Sequence, residues 1–218
     1  MSSAGIRVEK GSLRYVLKIP AAPSRTSHPV LLFLHGYDEG APTDIHEALT
    51  RHGPLRHAKP GRSVEHFIIV APQLPTRGDV WHHYAGAVQM ILRDVQRQHH
   101  GNAKRAYLTG FSFGGNGVFD LALIQPDTWA ALWAVDPTRV PAKNPPQPIW
   151  LSFGQVARYR KDDFIRALDV RPIVESGAAD RVYLDQRADH VGSARLAYRD
   201  EQIYRWLLSK RLAFAPDP

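Results

Sequence analysis

The chain has 218 residues, no cysteine, a hydrophobic fraction of 44% and a formal charge of +7. This length can close one sizeable core, the charged fraction of 22% argues against disorder, and the lack of cysteine excludes disulfides and thiolate metal sites. The basic residues are scattered arginines, densest at Arg158, Arg160 and Lys161, so no nucleic-acid partner is expected; no apolar run approaches the ~20 residues of a membrane span, and Met1 to Pro20 lacks a signal-peptide core, so the expectation is a cytoplasmic protein without a membrane partner.

The first element is a hairpin over Ile6 to Ile19. Leu13, Tyr15, Leu17 and Ile19 alternate with polar neighbours, and Gly11 sits at the turn. Continuous apolar runs follow at Val30–Leu34, Phe67–Val70, Ala106–Leu108, Ala130–Val135, Ile149–Phe153 and Val182–Leu184. Runs without alternation are strands covered on both faces, as in a parallel sheet. Between them lie helical patterns. Tyr84, Ala87, Val88, Ile91 and Val95 share one face. Val118, Leu121, Ala122 and Gln125 form a second helix, which Pro126 closes. Ile203, Trp206, Leu207 and Leu212 mark a third near the end. The proline-rich stretch Pro141 to Pro148 reads as a loop, not a linker. The alternation predicts one α/β domain over residues 1–218: a doubly wound, mostly parallel sheet with a leading antiparallel hairpin and no separate lid domain.

One motif carries chemistry. Gly110-Phe111-Ser112-Phe113-Gly114 fits G-x-S-x-G, follows a strand run and precedes a helix, which is the setting a nucleophile elbow requires. In so tight a turn, side chains two positions either side of the serine would collide, and glycine removes the collision. Ser112 is therefore the predicted nucleophile. An oxyanion needs two backbone N–H donors. One is expected from Phe113 and the other from Tyr37, in the loop His35-Gly36-Tyr37-Asp38-Glu39-Gly40. His35 is expected to hold that loop by hydrogen bonding. His46, His52 and His57 lie on a polar segment and are expected to be solvated. The adjacent pairs His82-His83 and His99-His100 tend to point their rings apart, which makes poor chelates, so no metal site is expected.

The segments Leu32-Phe33-Leu34-His35-Gly36, Ile68 to Gln73, Arg105 to Gly115 and Asp189-His190-Val191-Gly192 together resemble the α/β-hydrolase superfamily. The phrase Ala71-Pro72-Gln73 with Trp81 is similar to the esterases and predicted peptidases related to polyhydroxybutyrate depolymerase, feruloyl esterase and dienelactone hydrolase. The likeness runs over residues 28–210. It implies ester or thioester hydrolysis without a cofactor. It also places the general base at His190, after the last strand run, in agreement with the order serine, acid, histidine. The family's acid belongs in a G-x-x-D turn, but here the turn reads Gly154-Gln155-Val156-Ala157. Asp136, at the end of the preceding strand run, is one candidate for the acid; Asp162 or Asp163 are the others.

Trp81 and His82, with Tyr37, Phe111 and Phe113, are expected to ring the substrate, although Phe111 beneath the elbow belongs as well to the core. Arg158 and Arg160 stand where the acid turn would be and could bind a carboxylate or simply face water. The expected activity is a serine carboxylesterase acting on a small-molecule ester, as a monomer or homodimer. A peptidase or thioesterase using the same residues, and a non-catalytic binding protein on the same fold, are the alternatives.

Overall fold

The computed structural model describes residues 6–21, 27–57, 62–176 and 179–213, without the side chains of His57, Glu175 and Ser176. The strands are β1 (Ile6–Lys10), β2 (Arg14–Lys18), β3 (His28–Leu34), β4 (Ile68–Pro72), β5 (Gly101–Phe111), β6 (Ala131–Val135), β7 (Ile149–Phe153), β8 (Arg171–Pro172) and β9 (Arg181–Asp185). They form one sheet in the order β1-β2-β4-β3-β5-β6-β7-β9-β8. β1 pairs antiparallel with β2 and β2 with β4; every other pairing is parallel. The doubly wound sheet with a leading hairpin is thus present. β8, two residues long, has no signal in the sequence because so short a piece carries no period.

The helices are α1 (Ile45–Arg51), α2 (Ala85–Gln98), α3 (Phe113–Ile124), α4 (Gln155–Arg158), α5 (Lys161–Leu168), α6 (Ile173–Ser176), α7 (His190–Ala197) and α8 (Glu201–Leu208). They divide between the two faces of the sheet. Val88, Ile91 and Val95 of α2, Val118 and Leu121 of α3, and Phe164 of α5 pack with Val30, Leu32 and Leu34. Ile45 and Leu49 of α1, Ala194 of α7, and Ile203 and Leu207 of α8 pack with Leu31 and Phe33. Successive residues of one strand therefore feed two cores, which is why these runs do not alternate. Each large side chain so buried contributes about 1.5–3 kcal/mol. Three boundaries differ from expectation. α3 begins at Phe113 rather than near Val118, since the helix starts on the elbow itself. β5 runs back to Gly101. α8 stops at Leu208, and Leu212 packs on the core from beyond it.

The topology brings the site together. Phe111 and Val135, the last residues of β5 and β6, are in register, so Ser112 and Asp136 leave neighbouring strands side by side. Gly154 leaves β7, the next strand, and β9 adjoins β7. The chain after β9 returns over these strand ends and begins α7 at His190.

Candidate active site

Ser112 sits at φ 58° and ψ −119°. That is the left-handed half of backbone space, costing about 1–3 kcal/mol for a residue with a side chain. The turn is held by Ser112 N–H donating to Val135 O at 3.0 Å and Asn116 N–H donating to Ser112 O at 3.2 Å. A Cβ on Gly110 would come within 2.2 Å of Gly114 O, and one on Gly114 within 1.9 Å of Leu34 O. Both glycines are therefore required by close backbone approach.

His190 stands between a hydroxyl and a carboxylate. Its Nε2 is 2.9 Å from Ser112 Oγ, and its Nδ1 is 2.7 Å from Asp136 Oδ2. Asp136 is fully buried and has φ 40°. Its carboxylate accepts N–H bonds from Gly154 at 3.0 Å, Val156 at 3.2 Å and Ala157 at 2.7 Å. Three amide donors suit the ionised, acceptor-only carboxylate. Nδ1 then carries the hydrogen and Nε2 is left to accept from Ser112. The residues that replace the expected G-x-x-D turn thus hold, through their backbone, an acid supplied by the neighbouring strand. The alternatives are occupied elsewhere: Asp163 pairs with Arg160 and Arg166 on α5, and Asp162 is exposed.

Arg158 does not offer a free charge. It forms a forked pair with Asp185, at 2.8–3.1 Å, and reaches Ala188 O at 3.4 Å, so it braces the loop that delivers His190. Ser193 Oγ donates to His190 O at 2.7 Å and fixes the start of α7.

On the serine side, the position a Cβ would take on Gly36 lies 3.4 Å from Ser112 Cβ, so the backbone at Gly36 lies beside Ser112. The Tyr37 and Phe113 rings meet edge-on at 5.0 Å. Among the described residues, neither the Tyr37 nor the Phe113 N–H has a backbone acceptor. Two such amides beside a serine hydroxyl form an arrangement that could receive an oxyanion. His35 is buried; its Nε2 accepts from Leu74 N–H at 3.0 Å and its Nδ1 meets Gly36 O at 2.7 Å. Burial pushes this imidazole down to about 4, so it is neutral, with its hydrogen on Nδ1, and holds the loop.

A cavity of about 460 Å³ opens beside Phe113, lined by Trp81, His82, Gly117, Asp120 and Arg139 among others. Trp81 is nearly buried, and its Nε1–H donates to His35 O at 3.1 Å, so it serves both wall and scaffold. Asp120 takes a two-pronged bond from Arg139 at 2.7–2.8 Å. Asn116 clamps the loop after Asp136 by bonding Thr138 Oγ1, Thr138 N–H and Arg139 N–H. Phe111 belongs to the core, yet its ring also backs His190 at 4.6 Å.

Two histidine expectations are corrected. His52 is not solvated: its ring packs on Phe111 at 5.3 Å, and burial together with Arg51 pushes it down to about 4. His82 and His83 do not diverge, because the chain at Trp81–Tyr84 is a 3-10 turn rather than a strand; their rings meet at 4.4 Å. No group of three or more potential metal ligands occurs among the described residues, and no described helix is long and apolar enough to cross a membrane. Glu39, Asn116 and Arg158 are the site-supporting residues whose parts the sequence does not reveal. Asn116 and Arg158 act through partners distant in the chain, and for Glu39 the only local signal is its spacing from Gly36.

Sheet order, helix placement and the elbow define the α/β-hydrolase fold. The crystal structure of a thermostable esterase superposes with TM-score 0.76 at 20% identity, over 94% of this chain and 62% of that one, so the chain spans less than two thirds of that esterase's length. A mutant of the feruloyl esterase module from Clostridium thermocellum, complexed with sinapinate, gives 0.69 at 13% identity over 92% and 87% of the two chains. An S-formylglutathione hydrolase from Agrobacterium tumefaciens gives 0.66 at 12% identity over 96% and 95%. What is shared at such identities is the fold. No family model and no curated protein matches the sequence.

Proposed function

We propose that this protein is a serine esterase that hydrolyses a small-molecule carboxylic ester through an acyl-enzyme on Ser112. The observation that carries the reading is the unbroken line from the strained Ser112 hydroxyl, through both nitrogens of His190, to the buried Asp136 carboxylate. A fully buried carboxylate aimed at a half-exposed imidazole serves no evident packing purpose.

In the proposed reaction, Ser112 Oγ attacks the ester carbonyl carbon while His190 Nε2 takes its proton. Asp136 stabilises the imidazolium through Nδ1–H without itself being protonated. The carbonyl oxygen, now anionic, accepts from the N–H groups of Phe113 and Tyr37. The imidazolium returns its proton to the departing alkoxide and the acyl-serine forms. A water deprotonated by His190 then attacks the acyl carbon, and Ser112 leaves with its proton restored, releasing the carboxylic acid. No cofactor enters this balance. The cavity past Trp81 and His82 is the proposed seat of one arm of the ester. The ester reading is supported by two structural neighbours described above that are named esterases, and the thioester alternative by the third, named for S-formylglutathione. The turn after Gly154, which lacks the family's acid, favours a binding protein on the same fold; the contact of Asp136 with His190 weighs against that alternative.

The test is turnover of p-nitrophenyl acetate and butyrate, with labelling by a fluorophosphonate. Ser112→Ala is expected to lose about 10⁶-fold in kcat and all labelling. Wild-type protein that neither turns over a short ester nor labels would overturn the reading.

A further inference from the structure

Beneath the loop that carries Tyr37 lies a titratable pair the reaction above does not use. Glu39 is only 5% exposed, although it belongs to a surface-type turn. Its Oε2 lies 2.8 Å from the point a Cβ on Gly36 would occupy, so the carboxyl is pressed against the Gly36 backbone. Burial is the largest influence on that carboxyl and works against its ionisation, while the backbone amides of Gly36 and of Glu39 itself act the other way. The main chain of the turn is tied down as well: Gln73 Nε2 donates to Glu39 O at 3.0 Å. Glu39 Oε1 is 3.5 Å from His52 Nε2; His52 packs on Phe111, and Phe111 on His190. Burial favours the neutral form of each member, so this contact is not an ordinary ion pair. Sinking an acid into a turn is costly, and a solvated residue would close the turn without that cost.

We infer that Glu39 is a positioning residue for the oxyanion site: by gripping the Gly36 backbone from below, it fixes the direction of the next N–H, that of Tyr37, toward Ser112. Gly36 is where such a grip is needed. It has no side chain to restrict its rotation, and it lies against Ser112. Without the carboxyl, the Gly36–Tyr37 peptide is free to turn its N–H to solvent. The donor is then lost when the oxyanion forms, whereas substrate binding in the ground state is little changed.

This inference rests on the esterase reading, and its test separates the two. Wild-type turnover and the Ser112→Ala control judge that reading; Glu39 variants, titrated for active sites with a fluorophosphonate, judge this one. Glu39→Ala removes the grip. Glu39→Met removes it while filling the space, in case the alanine variant does not fold. Either is expected to lower kcat about 10- to 100-fold with KM within about threefold, less than or equal to the loss of a whole oxyanion donor. The inhibition constant of a trifluoromethyl ketone, which mimics the tetrahedral oxyanion, should rise by the same factor as kcat/KM falls. Glu39→Gln keeps an acceptor oxygen for the amides and adds a donor for His52, so it is expected within about threefold of wild-type kcat. The inference fails if Glu39→Met keeps wild-type kcat per active site. It fails equally if activity falls while ketone affinity per active site is unchanged.

Discussion

The two sides of the His190 ring are built on opposite principles. On the serine side, the chain is bent into a left-handed turn, leaves the Tyr37 and Phe113 amides without a backbone acceptor and gives Oγ one imidazole nitrogen as its partner. On the acid side, Asp136 is fully enclosed and all its capacity is used, by three amides and one imidazole. The serine side stores unmet bonding capacity, to be met by a substrate; the acid side spends all of its own on holding still. Under the proposed function the difference teaches that preorganisation is uneven: a nucleophile must be left wanting a partner, while the group that orients its base must not.

The contrast can be broken most severely at the acid. Asp136→Asn keeps the shape but offers a donor toward Nδ1, which favours the wrong imidazole tautomer; kcat should fall about 10⁴-fold with little change in KM. Steady-state kinetics on p-nitrophenyl acetate check this, and near-wild-type turnover would remove Asp136 from the proton path. Next comes acid sensitivity on the serine side. His35 titrates near 6.5 when unfolded and is pushed down to about 4 when folded, chiefly by burial. Between those values the unfolded chain binds more protons, so stability is present above 6.5 and is lost as pH falls toward 4, by about 3 kcal/mol. Urea midpoints from pH 7 to 4 should show the decline. His52, shifted the same way, adds to it. His35→Gln should flatten the curve, and an unchanged slope would mean that His35 does not resist protonation.

A smaller effect tests the enclosure itself. A Cβ on Gly154 would meet Asp136 Oδ2 at 2.4 Å and Ser193 Oγ at 2.3 Å. Gly154→Ala must therefore push the carboxylate off the imidazole, and a displacement approaching 1 Å costs about 10²-fold in rate. The corresponding measurement is kcat together with the active-site titre, which separates misplacement from misfolding. The mildest case is Arg158→Met. Its pair with Asp185 is partly exposed, and such pairs are worth up to about 1 kcal/mol, so a loss of about fivefold in kcat is expected. Raising the ionic strength should narrow that gap, because salt screens the wild-type pair.

Much of this site was legible in one dimension because its rules are local. The elbow needs glycine two residues either side of the serine, and the strand before it and the helix after it are each written in contiguous residues. The two-faced strands were equally legible, since unbroken apolar runs have few other uses. His190 came from resemblance and chain order rather than from any property of its own neighbours. Sequence leaves the acid open among Asp136, Asp162 and Asp163, because nothing in their local sequence tells the three apart. No local rule says whose carboxylate faces an imidazole 54 residues along the chain.

The amino-acid order by itself determined the layered α/β sheet, the raised serine and the glycines that permit it, because hydrophobic period and backbone sterics act over a few neighbouring residues. Only the tertiary structure decided which aspartate meets His190, that the Gly154–Ala157 turn supplies amides instead of an acid, and that Glu39 lies buried beside Gly36 with a half-buried His52 next to it. Those outcomes depend on strand register and on the return of the chain after β9, which bring together groups whose separation in sequence carries no trace of their contact.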